Sequence, residues 1–302
     1  MKSKNIFCRR SQNLVNPKWQ TLWQRKIICS IIIILTCTFL SFNLTIAQQI
    51  PDSLKSKNKT ALQTIGNDFS DSFKDGIKVY SSPFHFNSKE WITSGALILT
   101  ASAFYLKDES LRAYSKKNHS DINDKIYDAG TIYGNLITPG VIGGSIYIYG
   151  LTFKDDYTRV TGRMVFESVL YAGLITTVLK SVSGRYRPYT NAGSNFFRPF
   201  QVDEGRLSFP SGHSTVAFAI SSVLSNRINN TYASIGLYTL AGVTAISRVY
   251  KDDHWASDVI IGSAIGYFVG DFISSKKELN SGSKLHYNIF PGINNINLLI
   301  SF

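Results

Sequence analysis

Six apolar stretches, each long enough to form a helix, constrain the fold of this chain more than any other feature. They cover residues 91–106, 131–153, 159–180, 211–226, 232–247 and 256–273. Runs of this length exceed an ordinary β-strand and favour helices. Because each helix must bury an apolar face against a neighbour, we predict an all-α fold with a six-helix bundle core.

The N-terminal segment is typical of a leader. Residues 1–47 carry seven Lys or Arg residues and no acidic residue, and residues 27–47 form an apolar run that ends in Thr45-Ile46-Ala47. This pattern predicts a secretory signal peptide. An uncleaved anchor remains the alternative because the run is close to the length that spans a bilayer. In either case we expect the chain after Gln48 to be exported.

Charge and cysteine content exclude several classes of site. The formal net charge is +12, but residues 48–302 hold 25 basic and 20 acidic residues, which is only a mild excess. It fits an anionic substrate or a membrane surface and provides no stripe for nucleic acid. Since Cys8, Cys29 and Cys37 all lie in the leader, we predict neither a disulfide framework nor a cysteine metal site after residue 47.

Three further segments accompany the leader. Residues 48–83 are predicted to be a flexible or amphipathic arm that lies against the core, because apolar residues recur there at near-helical spacing. Residues 84–274 form the predicted core domain, in which Ser88 is expected to cap the first helix. Residues 107–125 are expected to form a short amphipathic helix and a loop. Residues 275–302 are a polar tail, and partial alternation over 293–302 indicates a short strand.

The residues with the clearest chemical character fall into three clusters between Lys180 and Asp258. The clusters are Lys180-Ser-Val-Ser-Gly-Arg185-Tyr-Arg187-Pro188, then Pro210-Ser211-Gly212-His213, and finally Ser247-Arg248 with His254 and Asp258. Each lies where an apolar segment starts or stops. Fixed cations together with the free N–H groups at a helix N-terminus are typical of a site for an oxyanion such as phosphate.

The third cluster adds a histidine and a carboxylate at a spacing of four. In a helix, His254 and Asp258 would share one face. A carboxylate placed there can fix the imidazole tautomer and stabilise its cation. Taken separately, each cluster also fits an ordinary capped helix or a surface ion pair.

The three strings in this order resemble the motifs of the type-2 phosphatidic acid phosphatase and vanadium haloperoxidase superfamily. Its motifs are Lys-x6-Arg-Pro, Pro-Ser-Gly-His and Ser-Arg-x5-His-x3-Asp, and this chain matches them at every position. The resemblance covers residues 84–274. It implies the helical bundle of that superfamily and a phosphatase activity in the bacterial cell envelope.

The resemblance also implies roles for individual residues. His254 would attack phosphorus and become phosphohistidine, Asp258 would orient it, and His213 would act as general acid and then general base. The phosphate oxygens would be bound by Lys180, Arg187, Arg248, Ser211 and Gly212. Phosphoryl transfer depends mainly on positioning and fixed positive charge, so we expect no metal and no other cofactor.

The leading hypothesis is a phosphatase that acts on a lipid-linked phosphate or diphosphate. A soluble periplasmic acid phosphatase of broad specificity, acting on small phosphomonoesters, is the alternative. A vanadate-dependent haloperoxidase is a weaker one, in which vanadate would be the prosthetic group rather than an inhibitor. A catalytically silent protein that binds anionic lipid stays open as a non-enzymatic reading, and the sequence does not fix the oligomeric state.

The side of the membrane on which the site would lie depends on how many of the first three predicted helices cross the membrane. If the leader exports residue 48 and the first three helices all cross, the site loop falls on the cytoplasmic side. If one of them does not cross, or if the domain is wholly periplasmic, the site faces the periplasm. We expect a membrane-associated protein with a periplasm-facing site.

Several other basic residues match no motif. Arg185, Arg198 and Arg206 are predicted either to line the entrance to the site or to belong to a solvated loop. His85, His119 and His286 are predicted to be structural or exposed.

Overall fold

The computed structural model describes residues 60–200 and 202–275, together with the backbone of residues 286–291 and 296–301. The leader predicted for residues 1–47 lies outside the described residues, and so does the beginning of the arm. The predicted domain boundaries remain predictions.

Nine α-helices occupy the described residues. They are α1 (Ala61–Ser81), α2 (Ser88–Tyr105), α3 (Asp108–Lys117), α4 (Asp121–Tyr133), α5 (Ile137–Phe153), α6 (Asp156–Ser183), α7 (Gly212–Ile228), α8 (Thr231–Tyr250) and α9 (Ala256–Ser275). Strands β1 (His286–Pro291) and β2 (Ile296–Ser301) form an antiparallel pair in which His286 lies opposite Ser301. The prediction of an all-α core is confirmed. The strand predicted in the tail is present, and its partner β1 was not predicted.

The core lies where the later helices pack together. Helix α9 packs against α7 and α6, α7 also contacts α6 and α8, α5 lies on α6, and α4 lies on α8. Met164, Ala172, Ala217, Ile220 and Ala241 are completely buried in these contacts. Small residues at many of these positions let the helix backbones approach closely.

The apolar stretch at 131–153 was predicted to form one helix, but it forms parts of two. Helices α4 and α5 are bent by 54° at a short break. Pro139 lies in the first turn of α5, where a residue without an N–H group leaves no hydrogen bond unmade. In an unbroken helix the same proline would remove a backbone bond and clash with the preceding turn. The break therefore occurs just before it.

The first core helix also begins one residue earlier than predicted. Asn87, and not Ser88, is the N-cap of α2, and its side chain accepts a hydrogen bond from the N–H of Glu90 at 3.0 Å. The Glu90 carboxylate accepts a hydrogen bond from the N–H of Asn87 at 2.7 Å. This reciprocal capping box satisfies two donors at once, an arrangement that the serine one position later cannot make.

Helix α1 lies in the segment that was predicted to be an arm, and its polar face points towards the core. The Asp68 carboxylate accepts from the Tyr147 hydroxyl at 2.8 Å and pairs with Arg159 on α6. On another side of the helix, the side chains of Leu62, Ile65, Phe69, Phe73 and Ile77 are exposed. The apolar spacing predicted a helix, whereas the contact with α6 combines ion pairs with the packing of Tyr171 against Gly76 and Tyr80.

Among the described residues, α6 and α9 are long and apolar enough to cross a membrane. The bent pair α4 and α5 would add a third crossing if the two helices act as one span. Helix α2 does not meet the same criterion.

Candidate active site

Residues of all three motifs lie at the ends of helices. Lys180 is in the last turn of α6, Ser211 is the N-cap of α7, Arg248 is in the last turn of α8, and Asp258 is in the first turn of α9. The Ser211 hydroxyl accepts from the Ser214 N–H at 3.5 Å. This local capping explains why the second motif starts a helix.

The start of α7 lies directly on the start of α9. The Ser211 N–H donates to the carbonyl of Asp258 at 3.0 Å. One turn further along α9, a Cβ atom at Gly262 would collide with the backbone of Ser211. Glycine at position 262 therefore permits the contact that brings the second motif next to the third.

The three motif cations approach one region. Arg248 Nη1 lies 3.2 Å from one carboxylate oxygen of Asp253, and Arg187 Nη1 lies 3.9 Å from the other. A Cβ at Gly212 would be 3.8 Å from Lys180 Cε, which places the lysine beside the first residue of α7. Among the described residues, the buried Nε of Arg187 has no hydrogen-bond partner. A buried, unpaired donor next to two other cations can bind an anion.

His254 is buried in the turn that precedes α9, so it does not share that helix with Asp258 as the spacing predicted. Its Nδ1 lies 2.7 Å from the carbonyl oxygen of Ser208 and 3.9 Å from Asp258 Oδ2. A carbonyl oxygen can only accept, so Nδ1 carries the proton and Nε2 keeps its lone pair. The carbonyl of Ser208 sets the tautomer, and Asp258 acts at longer range.

Burial makes both site histidines poor bases. Loss of hydration lowers the pKa of His254 to about 3, with Asp258 opposing this effect and the charges of Lys180 and Arg187 reinforcing it. The pKa of His213 is lowered to about 4. Burial is the largest cause, and the positive charges of Arg248, Arg187, Lys180 and Lys251 lower it further. Both imidazoles are therefore neutral near pH 7, and the motif cations act on both of them.

Arg185 does not line an entrance to the site, and it is not solvated. Only 1% of its side chain is exposed. Its guanidinium group donates to Asp258 Oδ1 at 2.5 Å and to Asp108 Oδ2 at 2.8 Å. The loop prediction failed because Arg185 is held between two buried carboxylates, and one of them lies on α3, far away in the sequence.

The other unmatched basic residues lie as follows. Arg198 is exposed, and Arg206 lies over the ring of Tyr186 with its guanidinium carbon 5.4 Å from the ring centre. His85 is exposed and bonds the carbonyl of Ser81, and His119 stacks on Tyr250. The side chain of His286 lies outside the described residues.

Two residues near the motifs gave no signal in the sequence. Ser208 is completely buried, its hydroxyl donates to Asp258 Oδ2 at 2.5 Å, and its carbonyl contacts His254. Asp108 is 1% exposed and contacts Arg185. An acid in the first turn of a helix is common for reasons of the helix dipole alone, so Asp108 could not be distinguished from an ordinary surface residue.

In the part of the chain that the structure describes, no group of three or more His, Cys, Asp or Glu side chains is arranged to hold a metal ion. The expectation of a reaction without metal stays a prediction.

Comparisons with known proteins agree with the motifs. Residues 162–279 match the family model of the PAP2 superfamily. A PA-phosphatase related-family protein of Dictyostelium discoideum is 30% identical over 149 residues, which are 45% of this chain and 54% of that protein. A lipid A 1-phosphatase of Porphyromonas gingivalis is 39% identical over 84 residues, which are 27% of this chain and 19% of that protein. The chain thus spans about half or less of the length of these two relatives.

One solved structure is similar to part of this chain. The transmembrane PAP2-type phosphatidylglycerolphosphate phosphatase of Bacillus subtilis is 21% identical, with a TM-score of 0.48. The match covers 63% of this chain and 98% of that one.

Proposed function

We propose that this chain, whose residues 162–279 belong to the PAP2 superfamily, is a phosphohydrolase that acts on a phosphorylated lipid. The state of His254 is the observation that carries the proposal. Its imidazole is buried and neutral, and its Nδ1 proton is held by the Ser208 carbonyl. Nε2 is then available as a nucleophile next to Lys180 and Arg187.

The first chemical step would be attack on phosphorus. The Nε2 lone pair of His254 forms an N–P bond while the P–O bond to the lipid breaks, and the leaving alkoxide takes a proton from His213. In the second step water attacks phosphorus, His213 takes a proton from that water, and the N–P bond breaks to release inorganic phosphate. The same residue serves first as acid and then as base.

The low pKa of His213 is compatible with this role. Three of its unfavourable neighbours are the motif cations Arg248, Arg187 and Lys180. A bound phosphate would offset their charges and raise the pKa of His213 towards neutrality. We therefore infer that the substrate itself makes the proton-donating form of His213 accessible.

The cations would bind the phosphate oxygens and neutralise the charge that develops in the transition state. Arg187 and Arg248 share the Asp253 carboxylate at 3.9 and 3.2 Å, and an incoming phosphate can replace that partner. Fixed donors of this kind usually make a large contribution to catalysis. Together with the N-terminus of α7 they can take the place that a metal ion has in other phosphatases.

Two observations favour a lipid substrate at a membrane. One is the pair of apolar helices α6 and α9 that could cross a bilayer. The other is that Arg163 and Glu167, which interrupt the apolar run of α6, are 4% and 3% exposed and are therefore not presented to lipid. A similar relative is named a lipid A 1-phosphatase, so a phosphorylated glycolipid is the first substrate to test.

The number of candidate spans also bears on the side of the membrane. If α4 and α5 act as one span and α6 as the next, only two crossings precede the site loop, since α2 is not a candidate. An exported residue 48 then leaves the loop on the periplasmic side. This arrangement removes the conflict between the leader and the number of helices.

The test is phosphate release by the purified protein over a small panel of substrates. The panel contains phosphatidate, a polyprenyl diphosphate, a phosphorylated lipid-A-type glycolipid and a soluble monoester. We expect activity on a lipid substrate that drops by about 10⁴-fold or more in His254→Ala and by about 10² to 10⁴-fold in His213→Ala. Labelled substrate should give an acid-labile phosphoenzyme that His254→Ala does not form.

His119→Ala is the matched control, because this histidine is partly exposed and lies outside the motifs. It should keep the wild-type rate. Undiminished hydrolysis by His254→Ala would overturn the assignment, and release of the protein by a carbonate wash of membranes, with activity on the soluble monoester alone, would favour the soluble alternative.

A further inference from the structure

Arg185 is the buried link between the third motif and a helix that precedes the matched segment. Its Nη1 donates to Asp258 Oδ1 at 2.5 Å and to the Ser257 hydroxyl at 2.8 Å, and its Nε donates to the Ser194 carbonyl at 3.0 Å. Its Nη2 donates to Asp108 Oδ2 at 2.8 Å. With both ends of the guanidinium group occupied by carboxylates, its orientation is fixed.

Asp108 holds the other side of this link and also caps α9. Its Oδ1 accepts the N–H of Ser257 at 3.0 Å, and its Oδ2 accepts the Ser257 hydroxyl at 2.6 Å. A carboxylate at this place satisfies a free N–H group of the first turn and interacts favourably with the helix dipole. Asp108 begins α3 and therefore lies outside the segment 162–279 that matches the PAP2 superfamily.

Two paths connect Arg185 to the ring of His254. One runs through the side chain of Asp258, whose Oδ2 accepts from the Ser208 hydroxyl and from the N–H of Trp255, the residue after His254. The other runs through the backbone, because the Ser208 N–H donates to the Arg185 carbonyl at 3.0 Å and the Ser208 carbonyl contacts His254 Nδ1 at 2.7 Å. Both paths reach Ser208, whose carbonyl sets the tautomer of the His254 imidazole, and the first also reaches the backbone next to His254.

We propose that Asp108 is a positioning residue for phosphoryl transfer, which acts through Arg185 on Asp258 and on the Ser208 carbonyl to hold His254 in line with phosphorus. This role rests on the proposed function of His254. Asp108 does not touch the phosphate, so it affects the attacking nitrogen and leaves the binding cations in place. Small displacements of a reacting group lower a rate strongly, whereas binding of the ground state is less sensitive.

Because Asp108 would affect the attacking nitrogen but not the binding cations, its positioning role can be tested by comparing the inhibition constants of two inhibitors. Vanadate takes a five-coordinate geometry with the attacking nitrogen as one of its ligands, and it therefore resembles the transition state. We expect inorganic phosphate to be held by the cations and the N-terminus of α7, without a bond to the attacking nitrogen. An inhibition constant does not depend on the fraction of the protein that is folded, so a variant that is only less stable changes neither constant.

The experiment compares Asp108→Asn with the wild-type protein in phosphate release, with vanadate and inorganic phosphate as competitive inhibitors. We expect kcat to fall by about 10- to 100-fold, by analogy with residues that orient a ligand from behind. The inhibition constant of vanadate should rise by about 10-fold, and that of phosphate by less than about twofold, because only the geometry of the attack changes. Asp121→Asn makes the same acid-to-amide change in the first turn of α4, at an exposed carboxylate outside the contacts of Arg185, and it should leave both constants unchanged.

A second variant covers the case in which Asp108→Asn does not fold. Ser257→Ala removes the hydroxyl between Asp108 and Arg185 and should shift the vanadate constant in the same direction, by about threefold. Unchanged vanadate constants in the variants that fold overturn the positioning role, and so does an equal rise in both constants. If the wild-type protein itself releases no phosphate from any substrate of the panel, it is the proposed function that fails.

Discussion

Two buried ionic clusters stabilise this molecule, and they are paired to different degrees. The site cluster consists of Asp108, Arg185 and Asp258, whose side chains are at most 1% exposed and are joined by hydrogen bonds at 2.5 and 2.8 Å. The arm cluster consists of Asp68 on α1 with Arg159, Arg163 and Glu167 on α6. In the arm cluster, among the described residues, Arg163 Nε and Glu167 Oε2 are buried without a hydrogen-bond partner.

This difference in pairing indicates that the two clusters have different roles. A fully paired cluster has one low-energy arrangement, and it can therefore fix the position of a neighbouring group to a fraction of an ångström. A partly paired cluster can still attach one helix to another, because the charges need only to be neutralised. The site cluster thus suits the positioning of His254, and the arm cluster suits the docking of α1.

The largest expected effect is the loss of stability in acid that the two site histidines, His213 and His254, cause beside the site cluster. In the unfolded chain a histidine titrates near pH 6.5, whereas burial lowers the pKa values of His213 and His254 to about 4 and about 3. Between those values the unfolded state binds more protons, so the free energy of unfolding falls as the pH drops from 6.5 towards 4. The loss is on the order of 3 kcal/mol for each histidine at pH 4.

Denaturant unfolding in detergent at pH 7 and pH 4.5 measures this loss. His213→Asn should flatten the pH dependence, and added inorganic phosphate should offset part of it by compensating the charged imidazole. His119→Asn should behave like the wild type. A His213→Asn protein whose stability drops as steeply as that of the wild type would show that the acid sensitivity arises elsewhere.

A smaller effect is expected when the arm cluster loses one charge. Asp68→Asn removes the carboxylate charge opposite Arg159 and Arg163, and hydrogen bonds to charged groups contribute about 1.5–3 kcal/mol. The free energy of unfolding should fall by this amount while kcat and the vanadate inhibition constant of the folded protein stay at wild-type values. Asp71→Asn, at a half-exposed carboxylate that lies 3.4 Å from Arg163, should change the stability by less than about 1 kcal/mol. A large change of the vanadate constant in Asp68→Asn would remove the distinction between the two clusters.

The smallest effect concerns the fit of α1 on α6. A Cβ atom at Gly76 would lie 2.7 Å from the ring of Tyr171, and that ring is held because its hydroxyl donates to the Ser72 carbonyl at 2.5 Å. Gly76→Ala should therefore lower the free energy of unfolding by about 1–2 kcal/mol through overpacking. Gly66→Ala, on the same helix with no atom within 4 Å of the added Cβ, should raise it by up to about 1 kcal/mol. Equal effects of the two substitutions would mean that α1 does not rest on Tyr171.

The helical segments could be predicted because their signals are local. Apolar runs located the helices from α6 to α9 within a few residues, and capping explains why α7 starts after Ser211. The break between α4 and α5 was missed because the glycine-rich run through Pro139 was taken as one helix. The outward direction of the apolar side of α1 was not predictable, since periodicity shows that a helix has two faces but not which face the core accepts.

The sequence alone determined the class of fold, the three motifs and their location at helix ends, since each of these depends on residues only a few positions apart. Tertiary structure alone decided how His254 is held. The contact of His254 with the Ser208 carbonyl spans 46 residues and the bond from Arg185 to Asp108 spans 77. No spacing rule links residues so far apart. Such partners are selected by burial, because a charge removed from water must be neutralised by whatever group the fold places next to it.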